Sequence, residues 1–437
     1  MSRRCSKRGS VSVFLLMTLS VSILLIGIFT EAAAGKAARA YAESVIDLAG
    51  RSVLSEFDRD LKADYGIFGI VSDTQTITDK LYWYLSESFI KEKKTADFFH
   101  FTVDEIEIDL SAYVLSNTES FEEQIIEFMK YRAIPQVLNL AGLMDEIENM
   151  NIDGLSEDEG IVNESGRREN RTLKNRRIIE ELPSRLIDKQ LWNLQDLIDM
   201  PDLSEFGEIA KEELYINLYI IDRFRHYLDS ADRTDTFFVN ETEYILYGSL
   251  SDQTNYFLVK TALAALRTGL NLTHIYSDPK KREALAAAAS IITPGPAAAA
   301  TQIALAGAWA AAEAVVDIKK LEKSKKVPLI KTEEDWVLSL DNVINEDLEP
   351  SEQAGEEGRG LTYENYLFLF LFLMDRETKL LRIMDLIQLN MKGNHNADFL
   401  ITGCYSGIDI YCTLSRKVNF LGVTGNRKGV ISSSHVY

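Results

Sequence analysis

The chain has 437 residues, 46% apolar and 26% charged, which is enough for two or three domains and too apolar for a disordered polymer. Its formal charge is −20, but Arg3, Arg4, Lys7 and Arg8 cluster at the start with no acid before Glu31, leaving 43 Lys+Arg against 67 Asp+Glu from Ser10 onward. So acidic a body is repelled by phosphate backbones and by anionic headgroups, which excludes a nucleic-acid partner and a body lying flat on a membrane.

Residues 1–10 form a basic leader, and residues 11–30 a transmembrane helix. No residue from Val11 to Thr30 is charged, and 13 of those 20 are Val, Leu, Ile or Phe, among them Val11, Phe14, Leu15, Leu19, Ile23, Leu24 and Ile28. Twenty helical residues rise about 30 Å, the thickness of a hydrocarbon core. Arg3, Arg4, Lys7 and Arg8 stay cytoplasmic by the positive-inside rule, so the expected topology is a single pass through the cell membrane with the body extracytoplasmic. A secretory signal cut near Ala32-Ala33-Ala34 competes with a permanent anchor, although the apolar run exceeds the usual signal length.

Residues 31–65 are expected to continue as an amphipathic stalk, since the segment lacks proline and is rich in helix formers. Tyr41, Val45, Val53, Phe57, Leu61 and Tyr65 mark an apolar stripe at helical spacing, a candidate face for partner helices. Gly66 is the expected left-handed cap.

Beyond the stalk, the expected fold class is mainly α (α+β): a mostly helical body with small β portions. In residues 66–148, Val103, Ile106, Ile108 and Leu110 suggest strand, and helix returns from Phe121 to Leu143 with a break at Pro135. Residues 149–175 read as a polar linker. Residues 176–345 form a helical body in which Phe237 to Gly248 suggests a short strand and Thr254 to Tyr276 a helix. Within it, residues 284–312 hold 15 alanines and no charge, interrupted by Pro294-Gly295-Pro296. That pattern predicts two helices joined by a tight turn, read as a buried hairpin; a membrane-dipping hairpin is the alternative, with arms too short to span. Residues 346–360 form an acidic loop, 361–392 a core helix and 397–437 a β segment in which Ile408, Ile410, Cys412 and Leu414 alternate.

Sequence motifs for chemistry are missing. His100, His226, His274, His395 and His435 are dispersed, never at the i, i+4 spacing of a helical metal site. Asn149, Asn151, Asp153 and Gly154 imitate the start of a calcium loop, but Gly160 stands where the bidentate carboxylate belongs. Gly422 to Gly429 has the wrong spacing for a phosphate loop. No catalytic residue, metal or cofactor is therefore expected. Cys404 and Cys412, eight apart in a segment expected outside the cytoplasm, could pair as a disulfide or remain two thiols.

Several segments together resemble a known group. Arg8-Gly9-Ser10-Val11-Ser12-Val13-Phe14-Leu15 resembles the opening of TadE/TadG-type minor-pilin-like proteins. The run from Ala37 to Gly69, ending Asp-Tyr-Gly-Ile-Phe-Gly, resembles an uncharacterised family of single-pass Gram-positive membrane proteins encoded in Tad/Flp pilus loci. The same family is suggested by Glu243-Tyr244-Ile245-Leu246-Tyr247-Gly248, by Lys326 to Thr332 followed by Asp335-Trp336, and by Tyr363 to Lys392. The resemblance implies an exported assembly or scaffold component whose partners are the membrane and other pilus or secretion-locus membrane proteins. It brings no active site. A cut after Gly9 would put Phe14 where prepilins carry glutamate, so the chain departs from the prepilin pattern. A surface-binding ectodomain and an exported hydrolase are the alternative functions.

Overall fold

The computed structural model describes residues 8–90, 99, 101–130, 132, 176–185, 208–229, 236–345, 360–420 and 423–437. Arg3, Arg4, Lys7, Pro135, the 149–175 linker with its calcium-like pattern, and nearly all of the 346–360 loop lie outside these. The chain is mainly α with small β portions, and it divides into two units: residues 1–62, 68–120 and 400–437, and residues 63–67 with 121–399.

In the first unit, α1 (Arg8–Leu54) is one 47-residue helix, as expected of a segment with no proline before Pro135. It stops eleven residues before the expected stalk end. Asp58 is the reason, because its Oδ1 accepts the N–H groups of Asp60 and Leu61 and starts a new helix, α2 (Arg59–Tyr65). Gly66 does adopt positive φ, +72°, but it caps α2. After β1 (Ile70–Val71) and α3 (Thr74–Ile90), the unit is closed by an antiparallel sheet in the order β2-β4-β5, with β2 at Phe101–Asp109, β4 at Gly407–Phe420 and β5 at Val423–Val436. β1 pairs separately with β3 (Cys404–Tyr405).

The strand pattern of β2 holds a register detail. Val103 and Ile106 are three apart, which would place them on opposite faces of a regular strand. A bulge between Val103 and Glu105 absorbs the extra residue, so Val103 sits opposite Leu414 and Ile106 opposite Cys412, on one face. That face carries the core: Ile408, Ile410, Cys412 and Leu414 pack with Ala42, Val45, Ile46, Ala49 and Val53 of α1 and with Ile77, Leu81 and Leu85 of α3.

In the second unit, the described helices are most of α4 (Thr118–Lys130), α5 (Arg176–Glu180), α6 (Glu208–Arg223), α7 (Glu241–Tyr247), α8 (Asp252–Ser277), α9 (Pro279–Ile292), α10 (Ala298–Glu322), α11 (Leu340–Ile344), α12 (Tyr363–Leu373) and α13 (Arg376–Asn394). Two expectations are corrected here. The strand expected over Phe237 to Gly248 is not formed: Glu241–Tyr247 is helix α7, whose residues Glu241 to Leu246 are all buried and so cannot show a one-sided periodicity; Gly248 at φ +63° ends it. The single core helix expected at 361–392 is two, because Asp375 accepts the Thr378 N–H and caps a second helix. Tyr363 and Tyr366 to Leu371 of α12 and every residue from Lys379 to Met391 of α13 are buried, which makes this pair the centre of the unit.

The Ala-rich stretch forms the two expected helices, α9 and α10, joined by a turn with Gly295 at φ +93°. It is not a buried hairpin. Its base is packed through Leu285, Ala306, Trp309 and Ala310, whereas Ile291, Ile292 and Ile303 near the turn are exposed.

Candidate membrane anchor and buried polar centre

From Val11 to Phe29 every residue of α1 except Gly27 is exposed, including Val11, Phe14, Leu15, Leu19, Ile23, Leu24 and Ile28. Water would not favour such a surface. The polar side chains in this stretch turn inward on their own helix: Thr18 donates to Phe14 O at 3.1 Å, Ser20 to Leu16 O at 2.6 Å, Ser22 to Thr18 O at 2.8 Å and Thr30 to Ile26 O at 2.7 Å. Hydroxyls satisfied in this way leave no open hydrogen-bonding group to be placed in hydrocarbon. Among the described residues this helix is long and apolar enough to cross a membrane, with none of its apolar window buried. Arg8 begins it.

The apolar stretch ends where the fold of the unit takes hold. Glu31, the first acid of the chain, pairs with Arg416 of β4 at 2.8 Å, and the same guanidinium donates to Ala34 O at 3.1 Å. From Ala38 onward one side of α1 is in the core. Helix α10 also has the length and composition to cross a membrane but is different: its C-terminal half is fixed in the protein by Trp309, Glu313 and Asp317, so length and composition alone do not make it a crossing helix.

The candidate partner-helix face is corrected. Val45 and Val53 are buried in the core of their own unit, and Tyr41 packs on that core with its ring 6.2 Å from Phe89. Phe57 meets Phe68 and Tyr437, and Leu61 is fully buried. Tyr65 belongs to the other unit, where it stacks on Phe224 at 6.0 Å. An apolar stripe reports that a helix is covered, and here its own chain covers it.

The possible disulfide is corrected as well. Cys404 and Cys412 are two separate buried thiols. Cys404 lies in β3 and Cys412 in β4, and eight residues of nearly continuous strand separate Cα atoms by up to about 26 Å, far beyond the ~7 Å limit of a disulfide. Burial pushes the Cys412 thiol up to about 11 and Cys404 higher still.

The second unit holds buried polar residues that sequence reading missed. Along α13, Lys379, Arg382, Asp385 and Gln388 recur every three residues, and each is engaged. Lys379 pairs with Glu213 and Asn217, Arg382 donates to Ile245 O and Leu246 O, and Gln388 donates to Glu181 O. Asp385 accepts from the Ser184 N–H at 2.9 Å, the Ser184 hydroxyl and the Tyr244 hydroxyl at 2.7 Å. Burial nevertheless pushes its carboxyl up to about 6. Glu243 is also raised by burial, while accepting from Tyr363 Oη at 2.7 Å and the Tyr227 N–H at 2.9 Å.

A second group links α8, α10 and the segment after α10. Arg267 lies 3.0 Å from Asp317 and donates to the carbonyls of Pro328 and Leu329; Lys331 lies 2.6 Å from the other Asp317 oxygen and pairs with Glu313. Burial raises the Asp317 carboxyl, but Arg267 and Lys331 outweigh it and hold the group below the usual range. A three-residue polar spacing in an apolar helix was the one available signal for the α13 series; nothing local signalled the second group.

These carboxylates and cations are engaged by backbone groups, by hydroxyl and amide side chains and by each other, while Glu243 Oε2 is buried without a hydrogen-bond partner among the described residues. Among the described residues no cluster of His, Cys, Asp and Glu is placed to hold a metal ion. His226, His274, His395 and His435 lie apart, His226 against Tyr363 and His395 2.8 Å from Asp64.

The molecule is thus a mainly α protein beginning with a helix long and apolar enough to cross a membrane, with a polar-tied helical core. The chain belongs to DUF5702, a family of unknown function whose model matches residues 158–415, more than half its length. The matched span begins after α1 and ends within β4. No curated protein and no solved structure is significantly similar to the chain.

Proposed function

We propose that the protein is a non-enzymatic, membrane-anchored extracytoplasmic component, minor-pilin-like in build, that serves assembly or scaffolding in a Tad/Flp-type pilus or related secretion apparatus. The observation that carries this reading is the two-part α1. From Val11 to Phe29 it is charge-free and exposed except at Gly27, and the second half of the same unbroken helix is the spine against which an antiparallel sheet packs. Together with the basic leader and the resemblance of Arg8 to Leu15 to minor-pilin-like openings, that layout favours a subunit whose apolar helix meets other membrane helices while its folded part stays outside the cytoplasm. Such a role needs no reaction centre.

With the stripe from Tyr41 to Tyr65 buried within its own units, partner contacts are assigned to the exposed apolar helix. A photo-crosslinking residue at Leu16 or Ile23 of the full chain, in cells carrying the native locus, is expected to capture other membrane proteins of a pilus or secretion apparatus. Retention of the chain in carbonate-washed membranes with no crosslinked membrane protein at any helix position would defeat the assembly role. Release of the intact chain by the wash would defeat the anchor itself.

A further inference from the structure

The tip of the α9–α10 hairpin carries a second apolar surface that the anchor does not explain. Tyr256 and Lys260 of α8 meet Glu322 of α10, Arg267 meets Asp317, and Asn271 donates to Ala310 O, so α8 and α10 run antiparallel. Ile275, near the end of α8, shares a cluster with Ala306. Since α8 stops at Ser277, the part of the hairpin between about Ala288 and Leu305 projects past it.

That projecting part is unlike the rest of the acidic body. No residue from Ala284 to Ala312 is charged. Ile291 is 80% exposed and Ile303 66% exposed, and Ile292 is exposed beside them. A helical surface of alanine and isoleucine without charge is poorly solvated, and single exposed apolar residues do not account for a cluster. Two hydroxyls of the projecting part are bonded within the hairpin, and half-buried Gln302 is its one amide side chain. Ser290 donates to Ala286 O at 2.8 Å, and Thr301 donates to the Thr293 hydroxyl at 2.9 Å. Pro294 and Pro296 remove two backbone donors at the turn, and the Ala298 N–H is returned to Gly295 O at 3.1 Å. Hydroxyls of Ser52, Thr78, Thr261 and Thr273 make the same bond on helices elsewhere in the folded units, so these bonds are compatible with hydrocarbon and the uncharged apolar surface carries the argument.

We infer that the tip of the α9–α10 hairpin is a wedge that inserts into the apolar interior of one leaflet of a lipid bilayer. Bilayer lipid is favoured over a second copy of the chain because the tip is a protrusion. Fluid acyl chains close around any convex apolar shape, whereas a protein partner must supply a matching groove. Charge agrees: the acidic body is repelled by anionic headgroups, and this uncharged segment is where that repulsion is absent. Length agrees too. Ala284 to Ile292 rises about 13 Å, within one leaflet of a core about 30 Å thick and too short to cross it. The C-terminal half of α10 cannot follow, because Glu313 and Asp317 are locked to Lys331 and Arg267. The inference rests on the anchored reading only in that the anchor keeps the chain at a bilayer, raising the tip's effective concentration there.

The test uses the full chain with Cys5→Ser, which leaves only the two buried thiols, reconstituted into phosphatidylcholine vesicles. An environment-sensitive fluorophore is placed at Ile291→Cys, at Ile23→Cys in the anchor, or at Lys325→Cys, an exposed site beyond the far end of α10. The Ile291 label is expected to emit to the blue, to be quenched by nitroxide-bearing lipid and to resist iodide present on both sides, while the Lys325 label does the reverse. An Ile291 label that behaves like the Lys325 label overturns the inference. So does one shielded from both quenchers that becomes iodide-accessible when the protein is diluted in lipid, which assigns the tip to a second copy. The Ile23 label reports the anchor separately, so the two readings fail independently. Placing Ile291→Asp and Ile303→Asp together, at exposed positions that cannot disturb the core, is expected to move a label at Ala299→Cys from lipid to water. A label that stays in lipid would also overturn the inference.

Discussion

Lys331 is the residue whose loss should be felt most clearly, because it balances two carboxylates that cannot reach water. Its side chain is 2% exposed, and those of Glu313 and Asp317 are fully buried. With Arg267 the group is neutral; Lys331→Met leaves one uncompensated buried negative charge. Removing one partner from a buried ion pair costs roughly 3–5 kcal/mol. The lower end is expected here, since Asp317 keeps Arg267 at 3.0 Å and Glu313 keeps the N–H groups of Val337 and Leu338 at 3.0 and 2.8 Å. A loss of about 3 kcal/mol, with a urea slope of about 3 kcal/mol per molar or more, lowers the midpoint by up to about 1 M. The assay is urea unfolding of the detergent-solubilised full chain followed by tryptophan fluorescence, since the Trp336 ring lies 5.5 Å from the Lys331 amine and Trp309 packs on Trp336. Adding Glu313→Gln removes the orphaned charge, so Lys331→Met with Glu313→Gln should recover most of the loss, a coupling of about 2 kcal/mol. A single variant within about 1 kcal/mol of the parent, or a double variant worse than the single, would refute the argument that charge balance, rather than packing, is what Lys331 supplies.

Three further outcomes follow from the same structure. The Asp385 carboxyl sits at about 6 when folded, above its ordinary value of 3.8, so its contribution to stability is complete below about pH 4 and is lost as pH rises through 6, a change of roughly 3 kcal/mol. Asp385→Asn should flatten that part of the stability–pH curve between pH 4 and 7, and parallel curves for parent and variant would count against it. Gly66→Ala places a methyl group about 2.2 Å from the Phe128 ring on a residue with φ +72°, for an expected loss of roughly 2–4 kcal/mol by thermal unfolding. An unchanged melting temperature would contradict the close approach. Finally, Cys404 and Cys412 should each gain one alkyl group under denaturing, non-reducing conditions and resist modification in the native chain; a mass two protons light without alkylation would reveal the bridge that the structure lacks.

What could be read directly were the features whose cause is local. The apolar run from Val11 to Thr30 is one exposed stretch of a long helix, legible because an uninterrupted apolar sequence and backbone bonds made within the helix are both local. Pro294-Gly295-Pro296 likewise fixed a helix break, since proline lacks the donor that a continuing helix needs, and Ile408 to Leu414 fixed a strand by alternation. Tertiary structure decided the rest. The stripe from Tyr41 to Tyr65 announced burial but not its partners, because apolar attraction is non-directional; for Tyr41 to Val53 the partner includes a sheet whose strands come from residues 101–109, 407–420 and 423–436, and for Tyr65 it is Phe224 of the other unit. Periodicity also failed at α7, which is surrounded on all sides, and at Cys404 and Cys412, whose eight-residue spacing carries no distance until strand geometry sets one. The salt-bridged group around Lys331 joins residues up to 64 positions apart, and its charges look like ordinary surface charges until folding removes them from water. The exposed hairpin tip depends on the reverse fact, that α8 ends at Ser277 before it can cover Ile291 and Ile303.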